Sequence, residues 1–343
     1  MNKFEFLVVP PDVNDIFASY TLPCRIDKYV ASVCKEFSRN AFATKAKDIK
    51  INGNLAKINS LVNQGDLISF FIQKPSNFSL KPENIVLDIL YEDENSMVIN
   101  KESGMVVHPD SVHRSSTLLN ALLYNESFYS AFCGEKLCSE DEEAFLEKGE
   151  SEYEYDSTRP GIVHRLDKDT SGVILTAKNP KAQRYYCALF KERRVKKIYL
   201  AIVKGVSRVG EATISTKLAR SRQNRIKFAS STAAYAKEAI THYKTISSNG
   251  EFSLLAIKID TGRTHQIRVH LSENSLPIIG DPIYARADIR FQDVPLMLHS
   301  YRLSFVPYNK NESVEIVAPP PKHFTQMIER LSLCFDESKQ FDF

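Results

Sequence analysis

No two of the six cysteines in this 343-residue chain stand as C-x-x-C. Cys24, Cys34, Cys133, Cys138, Cys187 and Cys334 are scattered without a tight pairing pattern, which argues against a zinc site and for a reducing compartment. G-x-G-x-x-G and G-K-S/T are also missing, so nucleotide-dependent chemistry has no phosphate-cradling loop to start from. The apolar run Phe6-Leu7-Val8-Val9 stops at Pro10-Pro11, too short for the core of a secretion signal or a membrane span. Nothing repeats at a fixed period. Together these absences predict a cytoplasmic protein with no membrane partner, no metal and no nucleotide.

What is present fits an ordinary globular chain, 43% apolar and 25% charged, long enough for one large domain and a small one. The net charge of +3 says little, but its distribution says more. From Lys181 to Lys227 there are fourteen Lys and Arg against two acids; from Glu135 to Asp156 there are ten acids against two Lys. Charge segregated in this way suits one surface for a polyanion, although two oppositely charged solvated faces would look the same. The acidic stretch 134–157 has no clear period and reads as a surface loop.

Near the front, Ile26, Tyr29, Val30, Val33, Cys34 and Phe37 mark one face of an amphipathic helix. Ser38 can cap a second helix running through Lys47. Ile49-Lys50-Ile51, Asn52-Gly53 and Leu67 to Ile72 then read as short strands around a tight turn. Eight Lys and Arg stand against four acids between Arg25 and Asp66, among them Arg25, Lys28, Arg39 and Lys50. This predicts a small α+β module over 17–74, followed by a Pro-bounded linker, 75–83.

The remainder predicts a large domain over 84–325 and a tail over 326–343. Strands are expected at Ile85–Tyr91, Met97–Asn100, Val173–Thr176, Lys197–Val203, Lys237–Ile246, Phe252–Asp260 and within Leu296–Val306. Helices are expected from Thr117, from Asn179-Pro180 with Asn as cap, and from Gly262 with Thr264 as cap. Gly280-Asp281-Pro282-Ile283-Tyr284 reads as a turn. Strands outnumber helices and many neighbours can pair antiparallel, so the fold class is α+β with a large mixed sheet.

The densest chemistry lies in His164-Arg165-Leu166-Asp167-Lys168-Asp169-Thr170-Ser171-Gly172, where imidazole, guanidinium and carboxylate fall within four residues. This HRLDxxTSG run resembles the catalytic motif of the RluA/RluD-type pseudouridine synthases, which isomerise uridine within RNA. Asn100 to Pro109 resembles the family's NKPAGxVVHP segment, with Glu102 where Pro is usual. Lys197-Ile198-Tyr199-Leu200-Ala201 and Gly262 to His270 (GRTHQIRVH) resemble two further family segments. The front module, RIDKYV…SRN…IKINGN…GD, resembles the S4 RNA-binding domain. The resemblance covers about residues 20 to 325.

The resemblance implies a mostly antiparallel sheet with helices and a central RNA-binding cleft, preceded by an S4 domain. It implies Asp167 as the reacting carboxylate, Arg268 as its partner and Tyr199 against the base. Arg165 would enter the RNA stack to support a flipped nucleotide. His164, Arg263 and His265 would contact RNA beside the site, as would Arg25, Lys28, Arg39 and Lys50 from the front module. The implied partner is large-subunit ribosomal RNA or its precursor particle, the implied state a monomer, and no cofactor is needed.

Two other readings remain on the residues alone. Asp167 could merely cap a turn, in a protein that binds RNA without chemistry. A glycosidic-bond hydrolase would need a second carboxylate, for which Asp169 is the candidate. Metal binding has little support: His265 and His270 stand five apart, on different helix faces, and His164 and Asp167 fall on opposite faces if their run is extended.

Overall fold

The computed structural model describes residues 2–9, 20–34, 42, 46–72, 81–110, 112–133, 159–221, 223–336 and 343. Its contacts divide the chain into two compact units, Met1–Leu80 and Lys81–Phe343. The greater part of the expected linker, the acidic 134–157 stretch, Arg39 and Ser38 lie outside the described residues.

The smaller unit contains β1 (Asn2–Leu7), β2 (Cys24–Arg25), α1 (Ile26–Val33), β3 (Ala46–Ile51), β4 (Asn54–Leu55), β5 (Leu61–Val62) and β6 (Leu67–Ile72). Four strands form an antiparallel sheet in the order β1-β6-β3-β4, and β2 pairs with β5. Ile26, Tyr29 and Val30 are the buried face of α1, as the periodicity predicts, and they share a core with Phe42, Ile68 and Phe70. Asn52 and Gly53 have φ of 51° and 82°, the left-handed pair that a two-residue hairpin requires. The second helix does not reach Lys47. Ala46 and Lys47 are paired with Ile72 and Phe71, so strand pairing takes these residues. Residues 2–7 pair with β6 at six positions and belong to the same unit.

The larger unit contains β7 (Ile89–Glu92), β8 (Ser96–Lys101), α2 (Leu118–Tyr124), α3 (Glu126–Cys133), β9 (Ser171–Ala177), α4 (Pro180–Lys191), β10 (Lys196–Lys204), β11 (Glu211–Arg220), β12 (Phe228–Ser230), β13 (Lys237–Ser248), β14 (Phe252–Ile259), α5 (Gln266–Glu273), β15 (Leu298–Phe305), β16 (Val314–Val317) and α6 (Lys322–Arg330). Its sheet runs β12-β11-β13-β14-β10-β15-β9-β8-β7, with β16 also on β15. Every pairing is antiparallel except β9 with β15. The expected α+β class with a mixed, mostly antiparallel sheet is what the chain adopts.

Burial follows position in this sheet. β9 is buried at all seven residues and β10 at seven of nine, as central strands covered on both faces must be. β11 is buried at only three of ten positions, as an outer strand with one wet face. Gly172 (φ 106°) lies where β9 pairs with β15, opposite Ser300: a Cβ there would overlap the Ser300 carbonyl oxygen. That close approach explains the glycine closing HRLDxxTSG.

Two helix starts behave as expected. Asn179 accepts from Ala182 N–H at 2.9 Å ahead of Pro180, and Thr117 forms a reciprocal cap with Asn120. The strand expected from Ile85 starts only at Ile89. Ile89 already faces Ile99 and the Asp88 carbonyl accepts from Asn100 N–H at 2.8 Å, so β8, which ends at Lys101, has little backbone left for residues before Asp88. The tail from residue 326 continues α6, and Leu331 and Leu333 are buried.

Candidate active site

The run from Gly161 to Thr170 is a loop, not a strand. His164 and Asp167 are therefore not set on opposite faces of one strand. Leu166 is buried and Arg165 is exposed. Leu175 N–H on β9 donates to His164 Nε2 at 2.8 Å, and the imidazole stacks on Phe190 with centroids 4.4 Å apart. Burial, aided by the charge of Lys197, pushes the His164 pKa down to about 3, so the ring is neutral. His164 thus ties the loop to β9 rather than reaching outward.

Asp167 is thereby carried to the start of α5. Its Oδ2 accepts from Arg268 Nη1 at 3.2 Å and lies 4.0 Å from His265 Nε2. The Asp167 side chain keeps 19% of its surface exposed, whereas Arg268 keeps 3%. The carboxylate can thus be reached from outside, and the cation behind it cannot. Arg268 also donates from Nε and Nη2 to both oxygens of Asp281, each at 2.8 Å. Asp281 is further bonded by the N–H groups of Ile283 and Tyr284 at 2.9 and 3.0 Å. Burial alone would raise the Asp281 carboxyl, but the Arg268 guanidinium and these N–H groups hold it below the usual range. It is 1% exposed and held ionised against Arg268, so it is no general acid, and a two-carboxylate hydrolase gains nothing from it.

The α5 start differs from expectation. His265, not Thr264, precedes the first helical residue, at φ 58° and without a side-chain cap. Gln266 anchors the helix start to the loop before it: its Oε1 accepts from Arg263 N–H at 3.0 Å and from Thr261 Oγ1 at 2.7 Å. Its amide donates to Ile240 carbonyl and to Thr241 Oγ1. His270 lies one turn on, between Thr241 and Thr216 at 2.9 Å each. Gln266 and His270 thus seat α5 on the sheet, and Arg268 emerges toward Asp167.

Lys101, at the end of β8, is 1% exposed. Its Nζ donates to the carbonyls of Glu102, Met105 and Lys168 at 2.7, 2.9 and 3.0 Å. Burial pushes its pKa down to about 7, against the pull of Asp169 and Asp167. With Ser103 Oγ donating to the Asp169 carbonyl at 2.8 Å, it clamps the 167–169 turn onto the 102–105 turn. Asn100–Pro109 thus serves as scaffold, and the clamp on Lys168 is how it reaches the residue beside Asp167.

Tyr199 is 6% exposed on β10, paired with Ile257 and Ser300. Burial raises its hydroxyl, a Ser300 hydrogen bond opposes, and Asp167 is near enough for its charge to add. Arg165 is close enough to His265 to bear on that imidazole. Arg263 is exposed, its Nε donating to the Glu238 carbonyl at 3.0 Å. The structure thus gathers Asp167, Arg268, His265, Tyr199 and Arg165 in one place. In the smaller unit, Arg25 is taken up by Asp27 through two bonds of 2.9 and 3.0 Å; Lys28 is exposed and Lys50 half-buried. Sequence reading missed Asp281 and Tyr284, which it took for a turn, and the clamp by Lys101. Among the described residues, no group of His, Cys, Asp and Glu is arranged to hold a metal.

Residues 95–273 match the family model described as RNA pseudouridylate synthase. Over 307 residues, 88% of this chain and 87% of the relative, the sequence is 36% identical to the ribosomal large subunit pseudouridine synthase D of Borreliella burgdorferi. It is also 36% identical, over 90% of this chain and 94% of the relative, to an uncharacterized RNA pseudouridine synthase of Chlorobaculum parvum. Human RNA Pseudouridylate Synthase Domain Containing 4 shares the fold, with a TM-score of 0.54 and 24% identity over 72% of this chain and 94% of that one.

Proposed function

Because the chain belongs to the RNA pseudouridylate synthase family, we propose that it isomerises specific uridines of large-subunit ribosomal RNA, with Asp167 as the reacting carboxylate. The N1–C1′ bond breaks, the detached base turns, and a C5–C1′ bond forms; C5 loses a proton and N1 gains one. Atoms and electrons balance without a cofactor. Asp167 acts near the sugar as nucleophile or base. Arg268 supports its charge from behind, and Tyr199 stands against the base. Arg165, exposed on the same loop, fills the stack that the flipped nucleotide leaves.

One observation supports this reading best: a partly exposed carboxylate set against a guanidinium that is itself buried and locked by a second carboxylate. Such a preset charge costs no rearrangement at the moment of reaction. We further read the smaller unit as an S4-type RNA-binding domain, supported by its helix, its strand pattern and Lys28 and Lys50. The protein acts as a cytoplasmic monomer in this reading.

The test is Asp167→Asn, assayed by single-turnover pseudouridine formation on ribosomal RNA. The amide keeps the shape and loses the charge, so isomerisation should vanish while RNA affinity stays within about twofold. A variant with a tenth or more of the parent rate would sink the assignment.

A further inference from the structure

The β11–β12 hairpin projects from the outer edge of the sheet, and its inner end touches the site. We propose that this hairpin is an RNA-contacting arm that sets His265 against Asp167 through Tyr284. The inference rests on the reading of Asp167 given above.

The tip has the surface of an RNA contact. Asn224, Arg225 and Ile226 are exposed, and Ile226 keeps 66% of its surface open between Arg225 and Lys227. A large apolar side chain flanked by cations suits an unpaired nucleotide, whose base packs on the apolar surface while its phosphates meet the charges. The tip ends the Lys181–Lys227 stretch in which basic residues outnumber acids by fourteen to two. The occupant proposed is the single-stranded RNA flanking the flipped uridine.

The inner end is anchored twice. Phe228 N–H donates to the Tyr284 hydroxyl at 2.8 Å, and Ser230 donates to the Glu273 carboxylate from N–H and Oγ at 3.0 and 2.5 Å. Glu273 closes α5, the helix that carries Arg268. Tyr284 itself lies between two cations, with Arg268 at 5.3 Å and Lys227 at 5.8 Å from its ring. Phe228 meets the His265 ring edge-on at 5.7 Å.

The Tyr284 hydroxyl has one proton to give. It accepts from Phe228 and lies 2.9 Å from His265 Nδ1. Donation to Nδ1 leaves the imidazole proton on Nε2, the nitrogen 4.0 Å from Asp167 Oδ2. The opposite tautomer would aim a lone pair at the carboxylate. Burial lowers the His265 pKa against the pull of Asp167, in keeping with a neutral ring. A shift of the hairpin therefore moves the tyrosine that fixes which face His265 shows to Asp167. Tyr284 is a positioning residue in this scheme.

The test compares Arg225→Ala/Ile226→Ser, Tyr284→Phe and the triple variant, in the full chain on its target ribosomal RNA. Two quantities are read: Kd, and the single-turnover rate at saturating RNA. The tip variant should bind roughly five- to tenfold more weakly, the scale of one or two lost phosphate or stacking contacts. It should also react several-fold more slowly at saturation. Tyr284→Phe should keep the parent Kd and lose rate, and the triple variant should be no slower than Tyr284→Phe, because the two losses share one route. Multiplying rate losses, or a tip variant with the parent saturating rate, would overturn the arm. If Tyr284→Phe melts below the assay temperature, His265→Asn takes its place in the same cycle. Asp167→Asn is run alongside. If it is active, the reading of the site fails and the arm with it. If it is inactive and the losses multiply, the arm alone fails.

Discussion

Arg268 is bound to Asp281 by two hydrogen bonds of 2.8 Å, and to Asp167 by one of 3.2 Å. The firmer pair is the deeper one, with both side chains at 3% exposure or less. Asp281 therefore orients the guanidinium, and Asp167 uses what remains of its charge. Asp281→Asn should leave Arg268 buried without its counter-ion. Breaking a buried pair in this way costs about 3–5 kcal/mol of stability. The saturating single-turnover rate should fall by roughly two orders of magnitude while RNA affinity holds, as for a lost transition-state interaction. A folded variant at the parent rate would show that Arg268 is oriented by other means.

Lys101 is expected to matter through the turn it clamps. Lys101→Met retains the apolar stem but withdraws the ammonium from the carbonyls of Glu102, Met105 and Lys168, of which Lys168 keeps the Gly104 N–H at 2.9 Å. Leaving buried acceptors unpaired costs about 1–3 kcal/mol each. Urea melts should show the loss, and activity should fall further than the unfolded fraction explains, because the Lys168 carbonyl, then held by Gly104 alone, is adjacent to Asp167. Activity that merely tracks the folded fraction would limit Lys101 to stability.

Much of this arrangement could be read in the sequence, and the limits have physical causes. Helix α1 and the buried strands β9, β10 and β14 show in local periodicity and apolar runs, because each packs along its whole length. HRLDxxTSG and GRTHQIRVH, about a hundred residues apart, are family segments, and their ends do meet at Asp167 and Arg268. Asp281 was hidden because a buried carboxylate in Gly-Asp-Pro has the same local sequence as a surface turn. Only the approach of Arg268 from α5 separates the two. The helix start at His265 was hidden for a similar reason: Gln266 anchors it to the Arg263 N–H and the Ile240 carbonyl, and that depends on β13 lying beneath. Residues 2–7 carry no local mark of a partner some sixty-five residues away in β6.

The buried histidines give a pH signature. His299 accepts at Nδ1 from the Ser171 hydroxyl and donates from Nε2 to the Ala318 carbonyl, at 2.9 Å each. Burial pushes its pKa down to about 4, and that of His164 to about 3. The unfolded values are about 6.5. Above that pH both states are neutral and stability is complete. Below it the unfolded chain takes up protons that the folded chain refuses, so stability falls as pH drops through the window from 6.5 to about 4. Each histidine contributes about 1.4 kcal/mol per pH unit there. Urea titrations across this window should show the fall, and His299→Gln should make the slope shallower by one proton. An unchanged slope would mean that His299 is protonated in the folded protein.

Removing the smaller unit should separate affinity from chemistry. Asp167, Arg268, Asp281, Tyr199 and Lys101 all lie in Lys81–Phe343, which has its own core around β9, α4 and β15. A fragment starting at Lys81 should fold and should isomerise its target at high RNA concentration. What it should lose is binding to structured RNA, because Lys28 and Lys50 of the smaller unit no longer displace counterions. The loss should be largest at low salt. The slope of log affinity against log salt should become shallower by roughly 0.7–0.9 for each phosphate contact removed. An unchanged slope would mean the smaller unit does not touch phosphate, whatever its resemblance to an RNA-binding domain. A folded but inactive fragment would mean that it helps to build the site around Asp167. The two failures are told apart by measuring Kd and saturating rate on the same preparation.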